Sequence, residues 1–196
     1  TFDQVGEIPK KMHVFYENCF DVLTREHDSL KRQFVRELFS GLSPDEFKDV
    51  FMYFSVVTYF DSFFTLGEEK MKEYVRKAIS LSEYSVSPSS IIHDMVEGTS
   101  LIQQEGRDYR FIHRSFQEYF TARFIVSETM MDLRTILRPV KNRFREDNVI
   151  LLAFDMDQNY MEQNYILPEL SELKRHIEQM DVRKSPVSFL RLFYSG

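Results

Sequence analysis

The sequence predicts a mainly α protein carrying one small β-hairpin, and three observations lead there. Glycine and proline are scarce, six of each, so tight turns are few. Apolar residues recur at three- and four-residue spacing along most of the chain, the period of a helix with one buried face. A single stretch, around Gly106, sets two short apolar runs about a turn signal.

Taken in order, Ile8-Pro9 opens the first helix, because a proline at the first helical position sacrifices no hydrogen bond. Met12, Phe15, Tyr16, Cys19, Phe20 and Leu23 then follow helical spacing. A polar stretch from Arg25 to Arg32 leads to Phe34, Val35, Leu38 and Phe39, and Ser40-Gly41 closes that segment. Ser43-Pro44-Asp45-Glu46 is a strong helix start: a cap, a proline, then acids facing the positive end of the helix. Phe47, Val50, Phe51, Phe54 and Val57 form its stripe, with Met52, Val56 and Phe60 beside it, so the helix is apolar on most faces and predicted to be buried. Phe63-Phe64-Thr65 reads as a brief strand, and a helix follows from Glu68 to Leu81. Ser87-Pro88 repeats the cap and proline and starts a short helix through Ile91, Ile92, Met95 and Val96, ended near Gly98.

The hairpin comes next, with Ser100 to Gln104 and Tyr109 to Ile112 flanking the turn Glu105-Gly106-Arg107-Asp108. After it Phe116, Phe120 and Phe124 step by four along a helix that runs to Val126. From Ser127 onward everything reads as helix. Met131 to Leu137 is stopped by Pro139, Asn148 to Phe154 follows, Ile166 to Ile177 has Pro168 in its first turn, and Val187 to Phe193 lies beyond a break at Pro186. The order helix, short strand, helix, helix, hairpin, helix is that of a winged helix, in which the hairpin is the wing. The expected organisation is therefore a helical piece over 1–40, a winged-helix domain over 41–127 and a helical domain over 128–196.

Nineteen Phe and ten Tyr require a substantial core and argue against disorder. A net charge of −6 gives no overall attraction to phosphate backbones. One cysteine, Cys19, excludes an internal disulfide and a four-cysteine zinc site, and its apolar neighbours Phe15, Phe20 and Val22 mark it as a small core residue. The remaining histidines His13, His27, His93 and His176 show no metal-ligand spacing. No apolar run approaches the roughly 18 residues of a membrane span, and no signal sequence opens the chain. The expectation is a cytoplasmic protein without membrane contact. Since it begins on Thr1, the chain reads as part of a longer polypeptide.

Tyr109-Arg110-Phe111-Ile112-His113-Arg114-Ser115-Phe116-Gln117-Glu118-Tyr119-Phe120-Thr121-Ala122 closely resembles the winged-helix signature of NACHT-family STAND NTPases, the NLR-like signalling switches, here of a bacterial kind. That signature is an aromatic, any residue, His, a basic residue, Ser or Thr, then Phe-Gln-Glu, an aromatic and small residues. A weaker likeness lies upstream. Gly6-Glu7-Ile8-Pro9-Lys10-Lys11, followed by Phe15-Tyr16-Glu17 and Leu23, is similar to the helix after the family's Gly-x-Pro motif, in the helical domain beside the ATPase. The resemblance covers roughly Glu7 to Val126; the helices beyond match only by position.

What departs from the family is informative. The chain has no G-x-x-x-x-G-K-[ST] loop and no strand ending in acids to hold Mg²⁺. The expectation is a regulatory region that is not itself an enzyme and holds no cofactor. The resemblance implies ATP or ADP with Mg²⁺ in the parent protein, on an NTPase core of the same polypeptide. It also implies a parent that can oligomerise and serves innate-immune or antiphage signalling. In NACHT proteins the winged-helix histidine faces the bound ADP and holds the closed state, a role that falls on His113. Arg114, Gln117 and Glu118 are then expected at the interface with that core. The physics of the histidine is sound, since its ring N–H can donate to a phosphate oxygen. The plainer reading of His113 is a local helix cap.

Two other functions have partial support in the sequence. A DNA-binding winged helix would present Ser87 to Glu97 to the major groove, yet that segment carries Asp94 and Glu97 and no Lys or Arg; specific DNA binding is not expected. Arg107 and His113 also fit the loose Arg-to-His pattern of HEPN-type ribonucleases, in which the two residues work on a ribose hydroxyl from helices. Here Gly106 and alternating apolar residues make a strand instead. The basic run Arg138, Lys141, Arg143 and Arg145 reads as a solvated face beside Glu146 and Asp147.

Overall fold

The computed structural model describes residues 11–25, 37–128 and 132–179. Outside them lie Gly6 to Lys10 with the expected helix start at Pro9, the apolar pair Phe34 and Val35, Met131, and the expected helix from Val187 to Phe193.

Helix α1 (Met12–Arg25) leads to a turn at Leu38–Gly41, where Gly41 takes φ +77° and its N–H returns to the Leu38 carbonyl. Helix α2 (Pro44–Phe60) starts as its sequence dictates. The Ser43 hydroxyl accepts from the Glu46 N–H at 3.3 Å while the Glu46 carboxylate accepts from the Ser43 N–H at 2.7 Å, a reciprocal capping box. Strand β1 (Thr65–Gly67) comes two residues later than Phe63-Phe64-Thr65 suggests, because Phe63 turns inward beneath α2 to lie 5.5 Å from the Tyr74 ring. Helix α3 (Glu68–Ser82) buries Met71, Tyr74, Val75 and Ala78, one helical stripe, against α2. Helix α4 (Pro88–His93) continues into a wider π turn over Asp94–Gly98.

The hairpin is tighter than its sequence suggests. Strands β2 (Ile102–Glu105) and β3 (Asp108–Phe111) pair Glu105 with Asp108, so the loop is two residues, not four. Gly106, at φ +62°, occupies the first loop position, which such turns reserve for glycine. β1 pairs with the other side of β3, giving an antiparallel sheet of order β1-β3-β2. Helix α5 (Arg114–Ser127) follows directly and packs on α2 and on α7 (Val149–Met156). Between them, α6 (Leu133–Leu137) runs into a 3₁₀ segment over Arg138–Arg145. The α-helix therefore ends at Leu137, as the sequence suggests, and Pro139 marks the change to a tighter helical path. It stands in the first turn of the tighter helix, where its missing N–H is tolerated. The last helical stretch also begins earlier than Ile166: α8 (Gln158–Met161) passes through a π turn at Glu162–Ile166 into α9 (Leu167–Gln179).

The described residues are thus mainly helical with one small antiparallel sheet. Their apolar core runs without a break across the positions near 40 and 127 where sequence suggests boundaries. Phe51 lies at its centre, with Phe120 at 5.0 Å, Phe111 at 6.0 Å and Phe20 of α1 at 6.3 Å between ring centroids. Cys19 is half-buried against this core, and burial raises its thiol pKa. Lys48, also buried, lies over the Phe20 ring and pairs with Glu17 at 2.8 Å, and Arg123 reaches the same carboxylate at 3.2 Å. One acid on α1 thereby holds a cation from α2 and another from α5.

Two outcomes follow. Phe51→Ala should cost about 3–5 kcal/mol through lost burial and a cavity, whereas Lys70→Ala, an exposed residue paired with Glu73 and lying 5.9 Å from the centre of the Tyr74 ring, should stay within about 0.5 kcal/mol; a denaturant titration compares them. The Lys48 hydrogen bond foremost, with Arg123 and against burial, holds the Glu17 carboxyl below its ordinary 4.5. A depressed folded value means stability is present above the unfolded value and lost as pH falls through the folded one. Acid titration of Tm should show that loss below about pH 4.5, and Glu17→Gln should flatten it.

Candidate functional site at the start of α5

α5 is buried on nearly every side, yet its first turns spell His113-Arg114-Ser115-Phe116-Gln117-Glu118. Each polar member must therefore find a partner or reach solvent. His113 is the N-cap, in extended conformation at φ −146°, and its Nδ1 accepts from the Ser115 N–H at 3.2 Å while touching the Ser115 hydroxyl. A ring nitrogen that accepts carries no proton, so in the neutral ring the proton sits on Nε2. His113 is exposed. The residue is a local cap through one nitrogen and, on an exposed side chain, keeps a proton on the other.

Arg114 lays its guanidinium 4.3 Å from the centre of the Phe64 ring and pairs through Nε with Glu118 at 3.1 Å, one helical turn on. Glu118 is nearly buried; its other oxygen accepts from the backbone N–H of Asn148 at 3.3 Å and from its side-chain amide at 3.2 Å. Asn148 is the N-cap of α7, so an acid of α5 completes the positive end of a neighbouring helix. Gln117 is fully buried and donates to the Thr58 hydroxyl at 2.9 Å and the Phe63 carbonyl at 3.0 Å, while its Oε1 has no donor among the described residues. Flipping the amide would face oxygen to the Phe63 carbonyl, which forbids the exchange. Expectation and placement differ here. Of the three residues assigned to an outward interface, only Arg114 reaches the surface; Gln117 and Glu118 hold α2 and α7 of this chain, because their sides of α5 pack against those helices.

Sequence reading missed the partners of this cluster. Arg143, in the run taken for a solvated face, turns inward and donates to the Tyr59 and Phe60 carbonyls, with its guanidinium 5.3 Å from the Tyr59 ring. Those carbonyls end α2, whose last turn has no basic residue of its own, and that want was the signal available. The buried Tyr59 hydroxyl donates to Asp147 at 2.7 Å; burial first, then that bond, pushes its pKa well above the ordinary 10.0. The other Asp147 oxygen accepts from the Val149 N–H at 3.2 Å. Arg138 is exposed and Lys141 pairs with Glu169 at 2.7 Å. Arg138 and Lys141 line an open groove of about 520 Å³ between α6 and α9, where Arg134 and Glu172 also pair.

The two rival chemistries find little geometry. Over Ser87–Glu97 the exposed residues are Ser87, Ser89, His93 and Glu97, none of them a cation with which to grip a phosphate backbone. Asp94 is buried, its carboxylate accepting from the Phe39 N–H at 2.7 Å and the Ser40 N–H at 2.9 Å. Arg107 and His113 stand at opposite ends of β3, roughly 20 Å apart at strand rise, too far to share one ribose. Among the described residues no cluster of His, Cys, Asp or Glu suits a metal ion, and no helix is long and apolar enough to cross a membrane. No family model, curated protein or solved structure matches the chain.

Replacing Arg143 tests the inward reading of the basic run. Arg143→Ala removes the guanidinium from two helix-end carbonyls, of which the Tyr59 one keeps the Ser62 N–H, and should cost about 1–3 kcal/mol, while Arg138→Ala should change stability by no more than about 0.5 kcal/mol. Equal midpoints for the two variants in urea would return Arg143 to the solvated face.

Proposed function

We propose that this chain is the winged-helix and adjoining helical region of a NACHT-type signalling NTPase, and that it regulates the parent by sensing which nucleotide the core holds. The observation that carries the reading is His113, at the seam of β3 and α5 inside the family-like run Tyr109 to Ala122. It is exposed and held by Nδ1, with Nε2 as donor. The order α2, β1, α3, α4, hairpin, α5, with β1 paired to the second hairpin strand, supports the winged-helix assignment. In the closed parent Nε2–H donates to an ADP phosphate, and the winged helix swings away when the nucleotide changes, a two-state element biased by its ligand. The region itself performs no chemistry; nucleotide and Mg²⁺ belong to the core, and the open parent assembles to signal in immune or antiphage defence.

The test uses one substitution in two settings. In the full-length protein His113→Ala removes a bond of roughly 1.5–3 kcal/mol that exists only in the closed state, so ADP release should quicken by about 10- to 100-fold. Oligomers or signalling should then appear without a trigger, and His113→Gln should act more mildly. In this chain alone His113→Ala removes a helix cap and should lower stability by about 0.5–2 kcal/mol. A loss of stability with unchanged ADP retention would reduce His113 to its local role and end the sensing reading.

A further inference from the structure

Arg114 spends only part of its guanidinium within the chain. Its plane rests on Phe64, its Nε faces Glu118, and the side chain remains 41% exposed; the Nη groups have no bonding partner among the described residues, and the neighbour in sequence is the exposed His113. A guanidinium fork held in this way suits two oxygens of one oxyanion. The residue behind it is not an ordinary surface acid. Glu118 is nearly buried, and its second oxygen is engaged by the backbone and side chain of Asn148 at the start of α7. A buried carboxylate bonded to neutral donors depends strongly on an adjacent cation. Asp147, which accepts from the Val149 N–H and the Tyr59 hydroxyl, also stands at the start of α7, with Arg143 over the Tyr59 ring.

We propose that Arg114 is a second arm of the anion-facing site, and that its ion pair with Glu118 transmits the state of that site to the N-terminus of α7. The inference rests on the nucleotide-sensing reading and adds a route. Phosphate oxygens engage the Nη groups while Nε stays on Glu118, so a bound anion stiffens Arg114, Glu118 and Asn148 together. When the anion leaves, Arg114 is restrained only by Phe64 and Glu118, and the start of α7 loosens with it. Glu118 is a positioning residue in this scheme: it touches no ligand but fixes the fork that does.

The full-length protein loaded with ADP gives the test, with ADP dissociation and amide exchange at Asn148 and Val149 read on the same samples. Native protein should show slower exchange at both amides with ADP than without it. Arg114→Gln should release ADP about tenfold or more faster, the worth of a charge-assisted bond, and should erase the ADP-dependent protection. Glu118→Gln separates positioning from charge. Removing a negative charge beside the site would by itself tighten anion binding, whereas losing the tether should speed ADP release and erase the protection at Asn148 and Val149. Unchanged Tm relative to a neutral control such as Lys70→Ala assures that folding is not the cause; where Glu118→Gln lowers Tm, Arg114→Lys, which keeps charge but not the fork, replaces it and should lose the protection. Protection that persists in Arg114→Gln, or native ADP release from it while His113→Ala releases ADP quickly, would overturn this inference and leave the sensing reading intact. Native release from both variants would overturn both.

Discussion

The burial of α5 is the constraint from which the neighbouring contacts follow. Ten of its fourteen residues are buried, and Phe116, Tyr119, Phe120 and Phe124 bring it into the aromatic core beside Phe51 and Phe20. A helix enclosed in this way cannot expose Gln117 or Glu118. A buried amide or carboxylate without partners costs several kcal/mol, so neighbours must be arranged to serve them. Thr58 and the Phe63 carbonyl serve Gln117, and Asn148 and Arg114 serve Glu118. The end of α2, the approach to β1 and the start of α7 are positioned by that need as much as by apolar packing.

The same logic explains the 3₁₀ segment after α6. α2 ends without a glycine cap or a basic residue in its last turn, and the N–H groups of Asp61, Ser62 and Phe63 bond the Val57, Tyr59 and Thr58 carbonyls. Arg143 reaches back from the 3₁₀ segment to donate to the Tyr59 and Phe60 carbonyls, placing its positive charge at the negative end of the helix. Asp147, four residues on, accepts from Tyr59 and from the Val149 amide. One short segment thereby closes the end of one helix and opens another. Arg143 and Asp147, which look in sequence like parts of a solvated stretch, are structural.

The functional reading depends on a division of labour within one imidazole. Nδ1 bonds to Ser115, which orients the ring and leaves the neutral ring's proton on Nε2 of an exposed residue. A local cap and a ligand-facing donor are therefore compatible, where sequence alone made them look like rivals. Arg114 divides its guanidinium between Glu118 and solvent. The start of α5 thus carries two exposed donor residues, one held by its own helix turn and one tied to buried Glu118, an arrangement suited to passing a binding event inward.

The sequence by itself determined the mainly helical character and the succession of elements: Ser43-Pro44 and Ser87-Pro88 start helices, and Gly106 marks the hairpin. These signals act through neighbours a few residues apart, since caps, prolines and helical periodicity are local physics. His113 was legible as a candidate because its motif is contiguous. What only the tertiary structure decided were the destinations of polar side chains: Glu118 on α7, Gln117 on α2, Arg143 at the end of α2 and Asp94 beneath the Phe39 turn. The two-residue hairpin loop, the later start of β1 and the helical path through Pro139 were likewise settled by pairing and packing. A polar residue bonds to whatever unpaired group folding brings within about 3 Å, and that group here lies thirty to ninety residues away, where no local pattern points.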